Sequence, residues 1–153
     1  MKTLAITMLL LLVPAPSSAA GSSAGMPKPI FSCGIGTKRV SVNLVGSQLV
    51  YHYGTQQKEE MSIIGDRQSG NVFWLTQRMA GVEYQLRFKS GAYSYIVYTV
   101  EGNAMSGARP AAGLVVMQGT KTISDKKCAK YAEFQPNFGF SSLPEDSREY
   151  SAM

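Results

Sequence analysis

Few side chains in this sequence are equipped for catalysis. The only histidine is His52, in the stretch VYHYG. A lone imidazole offers no metal-ligand cluster of the usual spacing. As a general base it would need an activated nucleophile beside it, and nothing around any serine marks one. Glu59 and Glu60 are adjacent in a strand-like run, so they point to opposite faces and cannot act together on one bond. CGIGTKR at 33–39 holds a Gly-x-Gly but lacks the rest of a dinucleotide-binding pattern. No metal or cofactor is expected, and the chain reads as a non-enzyme. The remaining chemistry is recognition by hydroxyls and phenols, concentrated in RFKSGAYSYIVYTVEG, residues 87–102.

The two cysteines, Cys33 and Cys128, lack a neighbouring base that would activate a thiol. An exported chain with two cysteines most simply joins them in one disulfide. Closing nearly the whole domain in that way stabilises it by about 4–5 kcal/mol in the chain-entropy model, before native strain is subtracted.

The evidence for export lies at the start. Lys2 precedes an apolar run from Leu4 to Val13, and the small residues Ser17–Ala20 follow. That is the layout of a signal peptide over residues 1–20, with cleavage near Ala20. The run is too short to cross a bilayer as a helix. No cysteine follows it closely, which argues against a lipid anchor. The expected location is the periplasm. Residues 21–30, GSSAGMPKPI, read as a flexible leader.

The formal charge of the whole chain is +5. The excess is modest and spread out, densest at Lys126, Lys127 and Lys130. No basic helix or aromatic–basic ladder accompanies it, so nucleic acid is not an expected partner.

Between Phe31 and Ala132 the apolar period is two. Eight β-type runs alternate with Gly, Ser, Asp and Pro clusters: KRVSVNL, QLVYHYG, EEMSIIG, NVFWLTQ, VEYQLRF, AYSYIVYTV, AGLVVMQG and KTISDKK. Their spacing leaves no room for crossover helices. The expected fold is all-β, a small antiparallel eight-stranded barrel or sandwich over 31–132 with one disulfide. Residues 133–153 form a polar tail with interspersed aromatics. Within it Ser142-Leu-Pro-Glu145 resembles a capping box, which suggests a short helix.

The opening stretch reads as a hairpin. Val82, Tyr84, Leu86 and Phe88 face one way, and Glu83, Gln85, Arg87 and Lys89 the other. With Ser90-Gly91 as central turn residues, Phe88 lies opposite Tyr93 and the apolar faces coincide. The second strand is apolar on both faces, which places it centrally in its sheet. Trp74 and Tyr95 read as core. Tyr93, directly after the turn, reads as a rim residue able to project.

An exported β-domain of this size with one disulfide and a Ser-Gly-x-Tyr turn resembles the bacterial periplasmic lysozyme inhibitors. In that family a Ser-Gly-x(-x)-Tyr loop enters the lysozyme cleft. The resemblance maps the inhibitory loop onto Ser90, Gly91 and Tyr93, with Lys89 beside them. It implies a lysozyme or another peptidoglycan hydrolase as partner, and an immunity-like role if that hydrolase comes from a competitor. The c-type inhibitors carry a second motif, Tyr-x-x-x-Thr-Lys-Gly. Tyr95 and Thr99 have its spacing, but Val100-Glu101 follow. A mildly basic inhibitor suits an acidic hydrolase better than a basic lysozyme. The alternative is a secreted β-domain that binds an envelope polymer or ligand through Lys126, Lys127 and Lys130.

Overall fold

A computed structural model describes residues 26–78, 80–147 and 150. The expected signal peptide therefore lies outside the described residues. Nine strands follow one another in chain order. The first sheet is a meander of β1 (Lys28–Ile35), β2 (Lys38–Val45), β3 (Gln48–Gly54) and β4 (Glu59–Gly65). The second is a meander of β5 (Val72–Arg78), β6 (Val82–Ser90), β7 (Tyr93–Glu101), β8 (Ala111–Gln118) and β9 (Lys121–Lys127). All pairings within both sheets are antiparallel.

The expected all-β class and disulfide are present, but the strand count is nine and no barrel closes among the described residues. The extra strand is β1, and it begins at Lys28, inside the stretch read as a leader. Pro29 hides it in the sequence, because proline cannot donate to a ladder. Here Pro29 lies on an edge strand beside a register shift, between Pro29 and Phe31, where a missing donor is tolerated.

The inner faces share one core. Val40, Val42, Leu49, Tyr51 and Ile63 from the first sheet meet Val72, Leu86, Phe88, Val97 and Leu114 from the second. The chain after β9 laces the sheets together. Cys128 N–H donates to Ala112 O at 2.8 Å, Ala129 N–H to Gly34 O at 2.8 Å, and Gln135 N–H to Ile30 O at 2.8 Å. The Cys33–Cys128 disulfide lies in the same seam, with Cα atoms 5.5 Å apart.

Four hairpins use one turn chemistry. Gly36-Thr37, Gly46-Ser47, Gly91-Ala92 and Gly119-Thr120 each connect paired strands, and each glycine has φ between +58° and +61°. Positive φ at the first central residue only is the signature of a type II′ turn, which matches the twist of the flanking strands. The β6–β7 turn is thus Gly91-Ala92 rather than Ser90-Gly91, and Phe88 pairs with Tyr95, not Tyr93. The slip preserves face parity, so the apolar faces still coincide.

β7 is the middle strand of five, and Ile96 through Val100 are all buried. Its outer face lies with Glu83, Gln85 and Arg87 of β6, which are also buried, at 0%, 1% and 1% exposure. The C-terminal segment rests on this face. Trp74 N–H donates to Pro144 O at 3.0 Å and Asp146 N–H to Trp74 O at 2.7 Å, a short parallel extension of the β5 edge. Asp146 pairs with Arg87, and Tyr150 packs against the cluster formed by Ile96, Tyr98, Val100, Val115 and Met117.

The tail holds no α-helix among its described residues. Phe140–Ser142 forms a single 3-10 turn, and Leu143 is extended with φ −94° and ψ 159°. A residue before proline is pushed away from the α region, so Pro144 prevents the helix that the capping pattern suggests. Phe134 and Leu143 instead enter the shared core.

Candidate functional site

The tip of the β6–β7 hairpin is exposed and carries a hydroxyl and a phenol. Ser90, Gly91 and Ala92 are exposed, and Tyr93 retains 40% of its surface. Ser90 and Tyr93 are direct cross-strand partners, so both side chains rise on the same face. That face is the continuation of the inner core face past its edge. Two neighbours brace the tip. Gly119 N–H donates to Ala92 O at 3.1 Å, from the β8–β9 turn, and Lys89 N–H donates to Asn71 O at 2.7 Å. A two-residue turn held on both flanks leaves the hydroxyl and phenol little backbone freedom to lose on docking.

Tyrosines lead from the core to this tip. The rings of Tyr51 and Tyr95 lie 5.7 Å apart, and Tyr51 also meets the Phe88 ring at 5.4 Å in a tilted arrangement. Burial, and then the neighbouring Tyr93, pushes the Tyr95 phenol above its ordinary pKa. Tyr51 is raised more strongly, mainly by burial, and its hydroxyl has no hydrogen-bond partner among the described residues. Tyr95 therefore belongs to the core margin, whereas Tyr93 presents its phenol to solvent.

Lys89 stands apart from the other loop residues. It lies on the opposite face of β6, and its Nζ sits over the Phe73 ring at 5.7 Å. The structure thus brings Ser90 and Tyr93 together around Gly91 and directs Lys89 to the far side of the tip.

The remaining residues singled out in the sequence have local partners. His52 Nδ1 contacts a Glu59 carboxylate oxygen across β3 and β4. Lys38 Nζ pairs with Glu60 Oε2 at 2.6 Å, and this partner raises the lysine's pKa. The two glutamates thus engage different partners. Lys126, Lys127 and Lys130 are exposed. The first two lie on β9, an edge strand, where charge deters pairing with another chain. Among the described residues no group of His, Cys, Asp and Glu is arranged to hold a metal. No described helix is long and apolar enough to cross a membrane, a statement that does not bear on strands.

Sequence reasoning missed the polar cluster on the outer face of the second sheet. Arg87 and Asp146 are ion-paired with side chains 2% and 5% exposed. Gln85 donates to Glu83 and to the Tyr150 carbonyl. Burial, Asp125 and Glu83 push the Tyr150 phenol up to about 12. The available signal was an apolar outer face on β7 with no partner proposed for it. Comparison with protein-family models, with curated proteins and with solved structures found no match.

Proposed function

We propose that the protein is a periplasmic inhibitor of a lysozyme-like peptidoglycan hydrolase, and that the β6–β7 tip enters the enzyme's active-site cleft. The observation that carries this reading is the pairing of Ser90 with Tyr93 on one exposed face of a braced turn. Glycosidase clefts of this kind work through carboxylates. The Ser90 hydroxyl can donate to such a carboxylate, a charge-assisted hydrogen bond stronger than a neutral one. Tyr93 adds rigid aromatic area with a polar end, the residue type favoured at interface hot spots. Gly91, at φ +58°, supplies the positive φ that the two-residue turn between them requires. Without Lys2, which lies in the expected signal peptide, the formal charge of +5 becomes +4, and this excess favours an acidic hydrolase as target.

The test is a titration of c-, g- and i-type lysozymes, and of acidic wall hydrolases delivered by competing bacteria, with the purified protein. Stoichiometric inhibition of at least one is the expected result. Failure against the whole panel would remove the proposal.

A further inference from the structure

At the opposite end of the β6–β7 hairpin lies a cavity of about 330 Å³. Eight residue steps along β7 separate Tyr93 from Glu101 at its margin, roughly 25 Å at strand rise. It is therefore independent of the tip. A volume of this size accepts a side-chain-sized ligand.

Its walls are aromatic. Tyr84 and Phe140 stack with centroids 5.8 Å apart, and Phe138 meets Phe140 edge-on at 4.9 Å. The loop that supplies Phe138 turns at Gln135-Pro136-Asn137-Phe138. Phe138 N–H donates to Gln135 O at 3.1 Å, and Asn137 has φ +68°. Proline followed by a residue of positive φ is a type II turn, which fixes the loop over the cavity.

Its charge is negative. Glu101 and Glu133 line the cavity with Tyr131, and no Lys or Arg is among the lining residues. Burial raises the Tyr131 phenol to about 12, and Glu133 and Glu101 add to that effect, which places both carboxylates in its field. Thr99 also lines the cavity. It is 2% exposed. A chain of net positive charge thus carries a pocket lined by aromatic rings, two carboxylates and the Thr99 hydroxyl.

We propose that this cavity binds an organic cation bearing N–H groups, a guanidinium or primary ammonium on a short alkyl stem. Ring faces attract a cation through their quadrupole, the stem buries against them, and the carboxylates and Thr99 accept the N–H bonds. The group can be a free amine or an arginine or lysine side chain of a peptide.

Calorimetric titration of the purified protein with n-butylguanidinium and n-butylammonium tests the site, with N-butylurea as the neutral isostere. A ligand of this size is expected to bind at about millimolar Kd. N-Butylurea should bind at least about tenfold more weakly, and a Glu101→Gln/Glu133→Gln variant should lose about tenfold for the cations. Both glutamates are exposed, so the variant keeps its fold. Tighter binding of N-acetyl-arginine-N-methylamide than of n-butylguanidinium assigns the site to a peptide side chain, and the reverse assigns it to a free amine. Equal affinity for the urea and the cations, unchanged affinity in the double variant, or no saturable binding overturns the proposal. Inhibition by the hairpin tip is unaffected by any of these outcomes.

Discussion

The buried Arg87–Asp146 pair makes the C-terminal segment part of the domain, and Asp146→Ala measures how much. Both side chains are almost fully removed from water. Removing one partner of such a pair costs about 3–5 kcal/mol, because the remaining charge stays buried. Detachment of the segment that carries Asp146 would limit the loss. If it detaches, Arg87 regains water and the cost becomes that of the docking contacts. Those include two backbone hydrogen bonds with Trp74, each about 1 kcal/mol. The expected loss is therefore about 3 kcal/mol, at the lower end of the range. For a domain of this size that lowers Tm by roughly 10 °C. Trp74 is the only tryptophan, and its backbone bonds the displaced segment, so its fluorescence reports the detachment directly. Urea unfolding followed by fluorescence and far-UV circular dichroism separates the two cases. Coincident transitions mean that the segment unfolds with the sheets, and an earlier fluorescence change means that it lifts first. Replacing both partners, Arg87→Met with Asp146→Leu, should recover most of the loss. A loss below about 1 kcal/mol for Asp146→Ala would refute the idea that the pair anchors the segment.

Three further outcomes follow from the packing. Tyr51 and Tyr98 are fully buried and their phenols are held protonated, mainly by burial, above the usual range. Above pH 10 the unfolded chain releases these protons and the folded chain keeps them, so stability falls as pH rises, by up to about 1.4 kcal/mol per pH unit for each tyrosine. Chemical denaturation across alkaline pH should show that slope, and Tyr51→Phe with Tyr98→Phe should flatten it. Gly113 pairs with Tyr98, and a Cβ there would lie 2.6 Å from both the Tyr98 hydroxyl and Lys126 O. Gly113→Ala should cost about 1–3 kcal/mol, read as a lowered Tm. Cys33→Ala with Cys128→Ala should cost about 4 kcal/mol in denaturant unfolding, with the sheets retained.

The strands were legible where one period held. VEYQLRF and AYSYIVYTV alternate cleanly, and their pairing, face and central placement follow from that alternation. β1 was illegible because Pro29 and Gly34 interrupt its run, and only its pairing with β2 makes it a strand. Division into two sheets is not written in the period, since a barrel and a sandwich bury the same alternate residues. The burial of the polar face of β6 was illegible for a different reason. Glu83, Gln85 and Arg87 have the residue types of a solvated face, and their burial depends on partners up to 65 positions away. The aromatics of the tail occur at irregular spacing, so no periodicity announces that Phe134 and Leu143 complete the core. The tip was legible in part. Its residues were identifiable, but the two-residue turn moved by one position and Lys89 fell on the other face.

The central claim is that Ser90 and Tyr93, lifted together on a braced turn, make the contact that blocks a wall hydrolase. The inhibition constant of the Ser90→Ala/Tyr93→Ala variant against the inhibited hydrolase tests it most directly. Both residues are exposed, so the variant should unfold like the parent. Loss of a hot-spot tyrosine alone is worth about 2 kcal/mol, so the constant should rise at least about 30-fold. An unchanged constant for a correctly folded variant would contradict the account.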